Sequence, residues 1–266
     1  MDAFRFVRAQ SVAEAQAEFG RGVDAKYLAG GQTLLPVMKQ RLAAPSDVIS
    51  LARMPELQGV TCTADTVTIG AMTRHADVAA HADIKRVLPS LANLAGGIAD
   101  PHVRNRGTIG GSLANNDPAA DYPAAVLGLG ATVVTDRRQI AADDFFQSMF
   151  ATALEPGELI VRVLFPVPKR AAYVKFPHPA SRYAQVGVMV SEGVAGVRVA
   201  VTGAGAGVYR VPEMEQALAQ SFTAQAIAGY VQPEDDLTSD LHGSAQYRAH
   251  LVTVLAKRAV RLALGG

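Results

Sequence analysis

AGGQTLLP (residues 29–36) and RNRGTIGGSLANNDPAADYP (residues 104–123) are the two stretches on which the fold of this chain turns. The first joins an apolar run, residues 25–28, to a helical run, residues 34–42. Gly30 and Gly31 remove two Cβ atoms and tolerate positive φ, so backbone N–H groups can come close to a ligand. Thr33 suits an N-cap, and a helix N-terminus carries partial positive charge, so a pyrophosphate is a natural guest. A tight strand–helix turn with no ligand accounts for the same residues equally well. The spacing is not G-x-G-x-x-G, which argues against a conventional NAD site. In the second stretch, three glycines, three asparagines, two aspartates and two prolines fall within residues 105–123. A polar connection of that length is functional or disordered. Its small apolar members, Ile109, Leu113, Ala114 and Ala119, argue against disorder. Asp121 can accept hydrogen bonds from a ribose diol; alternatively, the Asn and Asp side chains cap the stretch's own backbone.

Working outward, residues 11–20 read as a helix capped by Ser11, with Glu14 three residues on and Gly20 as its end. Residues 48–51 give a strand that completes a βαβ-like unit over the first fifty or so residues. Residues 65–72 alternate as a strand does, and 75–80 and 88–95 read as helices. Residues 107–117 break all periodicity. A helix over 124–129, a strand over 131–135 and a strand over 158–165 lead to PVPKR (166–170), the candidate domain boundary. Beyond it, 172–176, 186–190 and 193–202 read as strands, with a turn at 203–207. Residues 211–220, 224–229 and 244–264 read as helices. Strands first and helices after is an α+β order.

The chain has 266 residues, 49% of them hydrophobic and 18% charged, which suits a globular protein with a substantial core. A formal net charge of +1 gives no reason to expect nucleic acid as a partner. No apolar run is long enough for a membrane span, and MDAFRFVRAQ lacks a signal-peptide core. One cysteine, Cys62, excludes an internal disulfide, and excludes an iron–sulfur cluster or cysteine zinc site made by this chain alone. Cys62, in VTCTA, reads as a small buried hydrophobe, and a cytoplasmic location is expected. Of the six histidines (His75, His81, His102, His178, His242 and His250), none forms a metal-ligand pair on a convincing helix, so structural or surface roles are expected and no metal site.

The two glycine stretches, in this order and at this spacing, resemble the medium, FAD-binding subunit of molybdenum hydroxylases. That group includes aerobic carbon monoxide dehydrogenase, the bacterial xanthine dehydrogenase flavoprotein and related aldehyde and N-heterocycle dehydrogenases. The resemblance covers essentially the whole chain. SRYAQVGV (181–188) is similar to the segment opening the family's C-terminal domain, and SAQYRAHLVTVLAKRAVRLAL (244–264) to its last helix. It implies an α+β fold: a two-subdomain FAD-binding domain of the p-cresol methylhydroxylase/vanillyl-alcohol oxidase type over 1–167, divided near 1–53 and 54–167, then a small α+β domain over 170–266.

The resemblance also implies a site. Ala29, Gly30, Gly31, Gln32, Thr33, Leu34, Leu35 and Pro36, with Thr108, Ile109, Gly110, Gly111 and Ser112, would hold the pyrophosphate and ribityl portions of FAD. Asp121 matches an aspartate near the adenine ribose, Ile160 a hydrophobic flavin contact, Lys175 a lysine of the flavin site, and Tyr183 a side chain against the isoalloxazine. The chain departs from the xanthine oxidase type at Pro179-Ala180-Ser181-Arg182, where that type is rich in Arg and Asp. The implied partners are a large molybdopterin-binding subunit and a small subunit with two [2Fe–2S] clusters, as a dimer of heterotrimers. No catalytic acid or base is required of this chain. A stand-alone flavin oxidoreductase of the same fold and a flavin-free scaffold are the alternatives.

Overall fold

The computed structural model describes residues 1–265, so Gly266, the end of the expected 170–266 unit, lies outside the described residues. A three-stranded parallel sheet comes first. Asp47–Ser50, buried along its whole length, lies between Arg5–Arg8 and Ala25–Leu28. Parallel neighbours need crossovers, and the helices Val12–Arg21 and Leu34–Lys39 supply them. Ser11 caps the first as expected, its Oγ accepting from the Glu14 N–H at 3.2 Å. Gly20 does not end that helix; Gly22 does. A Cβ at Gly22 would lie 2.8 Å from Asp47 Oδ2, whereas Gly20 faces open space. The second helix stops at Lys39 rather than residue 42. Arg41 takes the left-handed conformation (φ 59°), and the Leu42 N–H turns back to the Val37 carbonyl at 3.0 Å, a C-terminal lock that ends a helix without glycine.

The second sheet is antiparallel, in the order Val60–Cys62, Thr66–Gly70, Ile160–Pro166, Thr132–Thr135, Gln139–Ala141. Helices His75–Ala80, Pro89–Gly96, Ile109–Asn115 and Tyr122–Gly128 contribute to the core built on it, around Val67, Ile69, Leu91, Tyr122, Val163 and Phe165. Residues 107–117, which show no periodicity, thus contain a helix. The six residues from Ala224 to Gly229 are not one. Their bonds, such as Ala226 N–H to the Thr223 carbonyl, span three residues only, so they form successive turns.

The third sheet is a meander of Arg170–Pro177, Ala184–Gly193, Gly196–Thr202 and Tyr209–Arg210. Ala184–Gly193 is buried on both faces, and its alternation decides which core each residue joins. Val186, Val188 and Val190 face Pro212–Gln220 and Ala245–Ala263. Met189 and its cross-strand partner Ala200 face the other way, into the core of the second sheet. Helix Tyr122–Gly128 seats on that pair through Gly128, where a Cβ would lie 2.6 Å from Met189 Cγ. No helix among the described residues is long and apolar enough to cross a membrane.

The Gly128 seat predicts its own sensitivity. Gly128→Ala should cost about 1–3 kcal/mol through overpacking, read as a lower denaturant midpoint with an unchanged slope. Gly20→Ala, in open space on a helix, should be neutral or stabilising in the same assay. Equal behaviour of the two variants would contradict the packing described.

Candidate functional site

The strand Ala25–Leu28 delivers the chain to Ala29, and Gly30 then touches the backbone of the second stretch directly. A Cβ on Gly30 would run into the Arg106 carbonyl and lie 2.7 Å from Gly107 Cα. Gly31 is left-handed (φ +72°) and leaves room for Leu35. Thr33 occupies the N-cap position of Leu34–Lys39, but its side chain makes no capping bond, contrary to expectation, because its backbone is already helical. The amides of Gly30, Gly31, Gln32, Thr33 and Leu34 donate to no acceptor among the described residues. Gly30, Gly31 and Leu34 are half-buried, where N–H groups without partners are rare, while Gln32 and Thr33 are exposed; successive free N–H groups of this kind form an anion-binding concavity.

The second stretch is built in the opposite way. Thr108 caps Ile109–Asn115 by accepting from the Gly111 N–H. The Ile109 and Gly110 N–H groups donate to the Thr73 and Ala71 carbonyls at 3.2 and 2.8 Å. The first-turn amides are therefore spent on protein. Neither Gly110 nor Gly111 has positive φ. A Cβ on Gly110 would strike Ala71 Cβ at 2.6 Å, so this glycine serves helix-to-strand packing; one on Gly111 would meet Thr108 Oγ1 at 3.0 Å and Ala29 Cβ at 3.4 Å.

Between the two stretches lies a cavity of about 830 Å³, in the range of small-molecule and cofactor sites. Ala29, Gly30, Gly31, Gln32, Thr33 and Leu34 line one side, and Thr108, Gly110, Gly111 and Ser112 another; Asp121, Ile160 and Tyr183 complete it. Leu35, Pro36, Ile109 and Lys175 are not on its wall; Ile109 is in the core. Tyr27, His75, Asp117, Glu158 and Arg182 line it as well and are not among the site residues that the resemblance implied. Tyr27 packs on Phe19 and donates to the Gly157 carbonyl. Glu158 accepts from Thr135 and Arg138, and the Arg138 guanidinium, the largest influence, holds its carboxyl down at about 2.

Two groups on this wall are controlled by burial. His75 sits under Gly107, its backbone N–H donating to the Gly107 carbonyl and its ring 5.3 Å from Tyr122. Its Nδ1 has no partner among the described residues. Burial first, and Arg104 second, push its pKa down to about 4. Asp121 is 4% exposed and accepts from the Tyr173 hydroxyl at 2.6 Å and from Lys175 Nζ at 2.9 Å. Burial pushes its carboxyl above the usual carboxylate range, against the pull of Lys175 and Tyr173. Cys62 is half-buried against the core, as a small hydrophobe would be.

With this geometry in hand, the comparisons fall on one family. Residues 2–168 match the family model described as the FAD binding domain in molybdopterin dehydrogenase, and residues 171–263 match the CO dehydrogenase flavoprotein C-terminal domain. The chain is similar to the nicotine 6-hydroxylase medium subunit of Paenarthrobacter nicotinovorans, at 37% identity over 98% of this chain and 97% of that one. It is also similar to the carbon monoxide dehydrogenase medium chain of Hydrogenophaga pseudoflava, at 36% identity over 98% and 96%. Among solved structures, carbon monoxide dehydrogenase from Hydrogenophaga pseudoflava superimposes with a TM-score of 0.89 at 36% identity, covering 99% of this chain and 98% of that one. Quinoline 2-oxidoreductase from Pseudomonas putida 86 gives 0.89 at 29% identity, covering 100% and 98%.

The buried imidazole gives a pH test. His75 takes up its proton near 6.5 when unfolded and only at about 4 when folded. Between those values the unfolded chain binds more protons, so stability falls as pH drops through the window, by at most about 3 kcal/mol. Urea midpoints measured from pH 7.5 to 4 should show a shallower fall for His75→Gln than for wild type. Parallel curves would mean that other groups carry the acid lability.

Proposed function

Because this chain belongs to the family of FAD-binding medium subunits of molybdenum hydroxylases, we propose that it serves as the electron-transfer subunit of a heterotrimeric oxidoreductase. The carrying observation is the run of unpartnered amides from Gly30 to Leu34 on the wall of the cavity. A diphosphate needs such donors. The remaining wall is largely apolar and backbone-lined, as a flat heterocycle requires. Bound there, FAD would supply the redox chemistry linking two [2Fe–2S] clusters of a small subunit to an external acceptor.

The chain's own part is positional. The amides of residues 30–34 would hold the diphosphate, and Thr108, Gly110, Gly111 and Ser112 would bound the ribityl region. Ile160 and Tyr183, both on the cavity wall, would flank the ring. No side chain is asked to move a proton. The molybdopterin cofactor belongs to a large partner subunit, which chooses the substrate. A dimer of such heterotrimers and a cytoplasmic location belong to the same proposal. So does the division into an FAD-binding unit over 1–167 and a C-terminal unit over 170–266.

Purified chain should bind FAD in equimolar amount and release it into the supernatant on acid precipitation. Photoreduced, it should pass electrons to an artificial dye. Aldehydes, purines and carbon monoxide should leave its flavin oxidised until the two partner subunits are added. Direct reduction by any of them would favour the stand-alone oxidoreductase, and failure to take up FAD the flavin-free scaffold.

A further inference from the structure

Lys175 stands off the cavity wall, yet its ammonium holds three separate parts of that wall. Nζ donates to the Gly97 carbonyl at 2.9 Å, to the Asp121 carboxylate at 2.9 Å and to the Arg182 carbonyl at 2.9 Å. An ammonium has three donors, so none is left for a ligand. The three acceptors lie on different segments. Gly97 precedes Ile98, Ala99 and Asp100, which line the cavity; Asp121 lines it and opens the helix Tyr122–Gly128; Arg182 and Tyr183 line it from the third sheet. The site is built for this lysine. Its side chain is 10% exposed and that of Asp121 3%. Tyr173, two residues away on the same strand face, donates to Asp121 Oδ1, the oxygen that Lys175 meets at 2.9 Å, while Lys175 also reaches Oδ2 at 3.1 Å. Gly187, the cross-strand partner of Lys175, has no side chain, and a Cβ there would run into the Tyr173 hydroxyl.

Arg182 is the segment that needs holding. It is a non-glycine residue at φ 61°, a conformation that persists only where the surroundings fix it. Its N–H donates to the His178 carbonyl, and the His178 N–H to the Tyr183 carbonyl. His178 Nδ1 accepts from the Ala180 and Ser181 amides. That turn closes on itself, and the Lys175 bond to the Arg182 carbonyl and the Ala184 N–H bond to Ala119 tie it to the second stretch. Tyr183, 46% exposed, is carried on it.

We infer that Lys175, with Asp121 and Tyr173 as its seat, is a positioning residue that fixes Tyr183 over the cofactor cavity and touches no cofactor itself. The inference rests on the flavin reading above. It assigns to Asp121 the support of the wall rather than a ribose contact. It also makes Tyr183 the element through which Lys175 is felt, and a double-mutant cycle on the full chain therefore decides it.

FAD affinity and the fluorescence of bound FAD, which a tyrosine ring against the flavin quenches, are measured for wild type, Lys175→Met, Tyr183→Leu and the double variant. Lys175→Met should weaken FAD binding about tenfold and raise bound-flavin fluorescence to the level of Tyr183→Leu, and the double variant should be no worse than the weaker single one. Lys175→Met leaves the Asp121 charge unpaired; if that variant does not fold, Asp121→Asn/Lys175→Met replaces it in the cycle. Losses that multiply, or quenching that survives Lys175→Met, overturn the inference and return Lys175 to a direct contact or a general structural role. Wild type that takes up no FAD sinks the flavin reading itself, a result distinct from multiplying losses on a flavin-loaded chain.

Discussion

Everything in this molecule is arranged around the backbone-to-backbone contact of Gly30 with Arg106 and Gly107. No other residue fits at position 30, because a Cβ would enter the Arg106 carbonyl. The contact fixes the distance between a parallel sheet and the antiparallel sheet next to it, and the cavity is what remains between them. It also explains the asymmetry of the two glycine stretches. The one that ends a strand has spare amides; the one that starts a capped helix has donated its amides to Thr73 and Ala71. Free N–H groups are costly away from water, and of these five residues Gly30, Gly31 and Leu34 are half-buried while Gln32 and Thr33 are exposed.

The sequence disclosed the elements whose signals are local. Ser11 with Glu14, the run 25–28, the helix from His75 and the last helix from Ser244 are all found within a residue or so of their expected starts. It missed Ile109–Asn115 because IGGSLAN has two glycines and no apolar stripe. That helix stands on the Thr108 cap and on carbonyls from residues 71 and 73, which no window around it contains. It overread 224–229, where the composition is helical but the chain makes only three-residue turns. At the cavity, the two glycine stretches stood out in the sequence, but only the resemblance tied them to a cofactor. His75 and Glu158 did not stand out, since their place on the wall depends on Gly107 and on Arg138 from distant parts of the chain.

Lys175 shows a subtler limit. Its residue type and place in the chain were readable, but the direction of its side chain was not. A lysine on a strand points to one of two faces, and here the chosen face carries Asp121 and Tyr173. The ion pair is buried, so it says little about net stability, because desolvation offsets the attraction. What such a pair does well is fix geometry: a carboxylate and an ammonium with every donor spent leave few alternative arrangements of the three segments they join.

The strand Ala184–Gly193 connects that geometry to the rest of the fold. Its valines belong to the core of the third sheet, while Met189 belongs to the core beneath the cavity. The same strand begins at Ala184, one residue after Tyr183, and its first N–H is held by the Ala119 carbonyl of the second stretch. Thr202, on the next strand, donates to the Ala120 carbonyl. The third sheet is thus packed against the second by apolar alternation and pinned to the cavity wall by polar bonds at one end. A displacement of that sheet would reach the cavity first at Tyr183 and the 117–121 segment, while residues 30–34, on the far wall and held by Gly30, would be left in place. The two halves of the cavity wall are consequently supported by different cores: the amides of residues 30–34 by the parallel sheet and the Gly30 contact, and Tyr183 by the third sheet, with Lys175 bonded to the neighbouring Arg182 carbonyl.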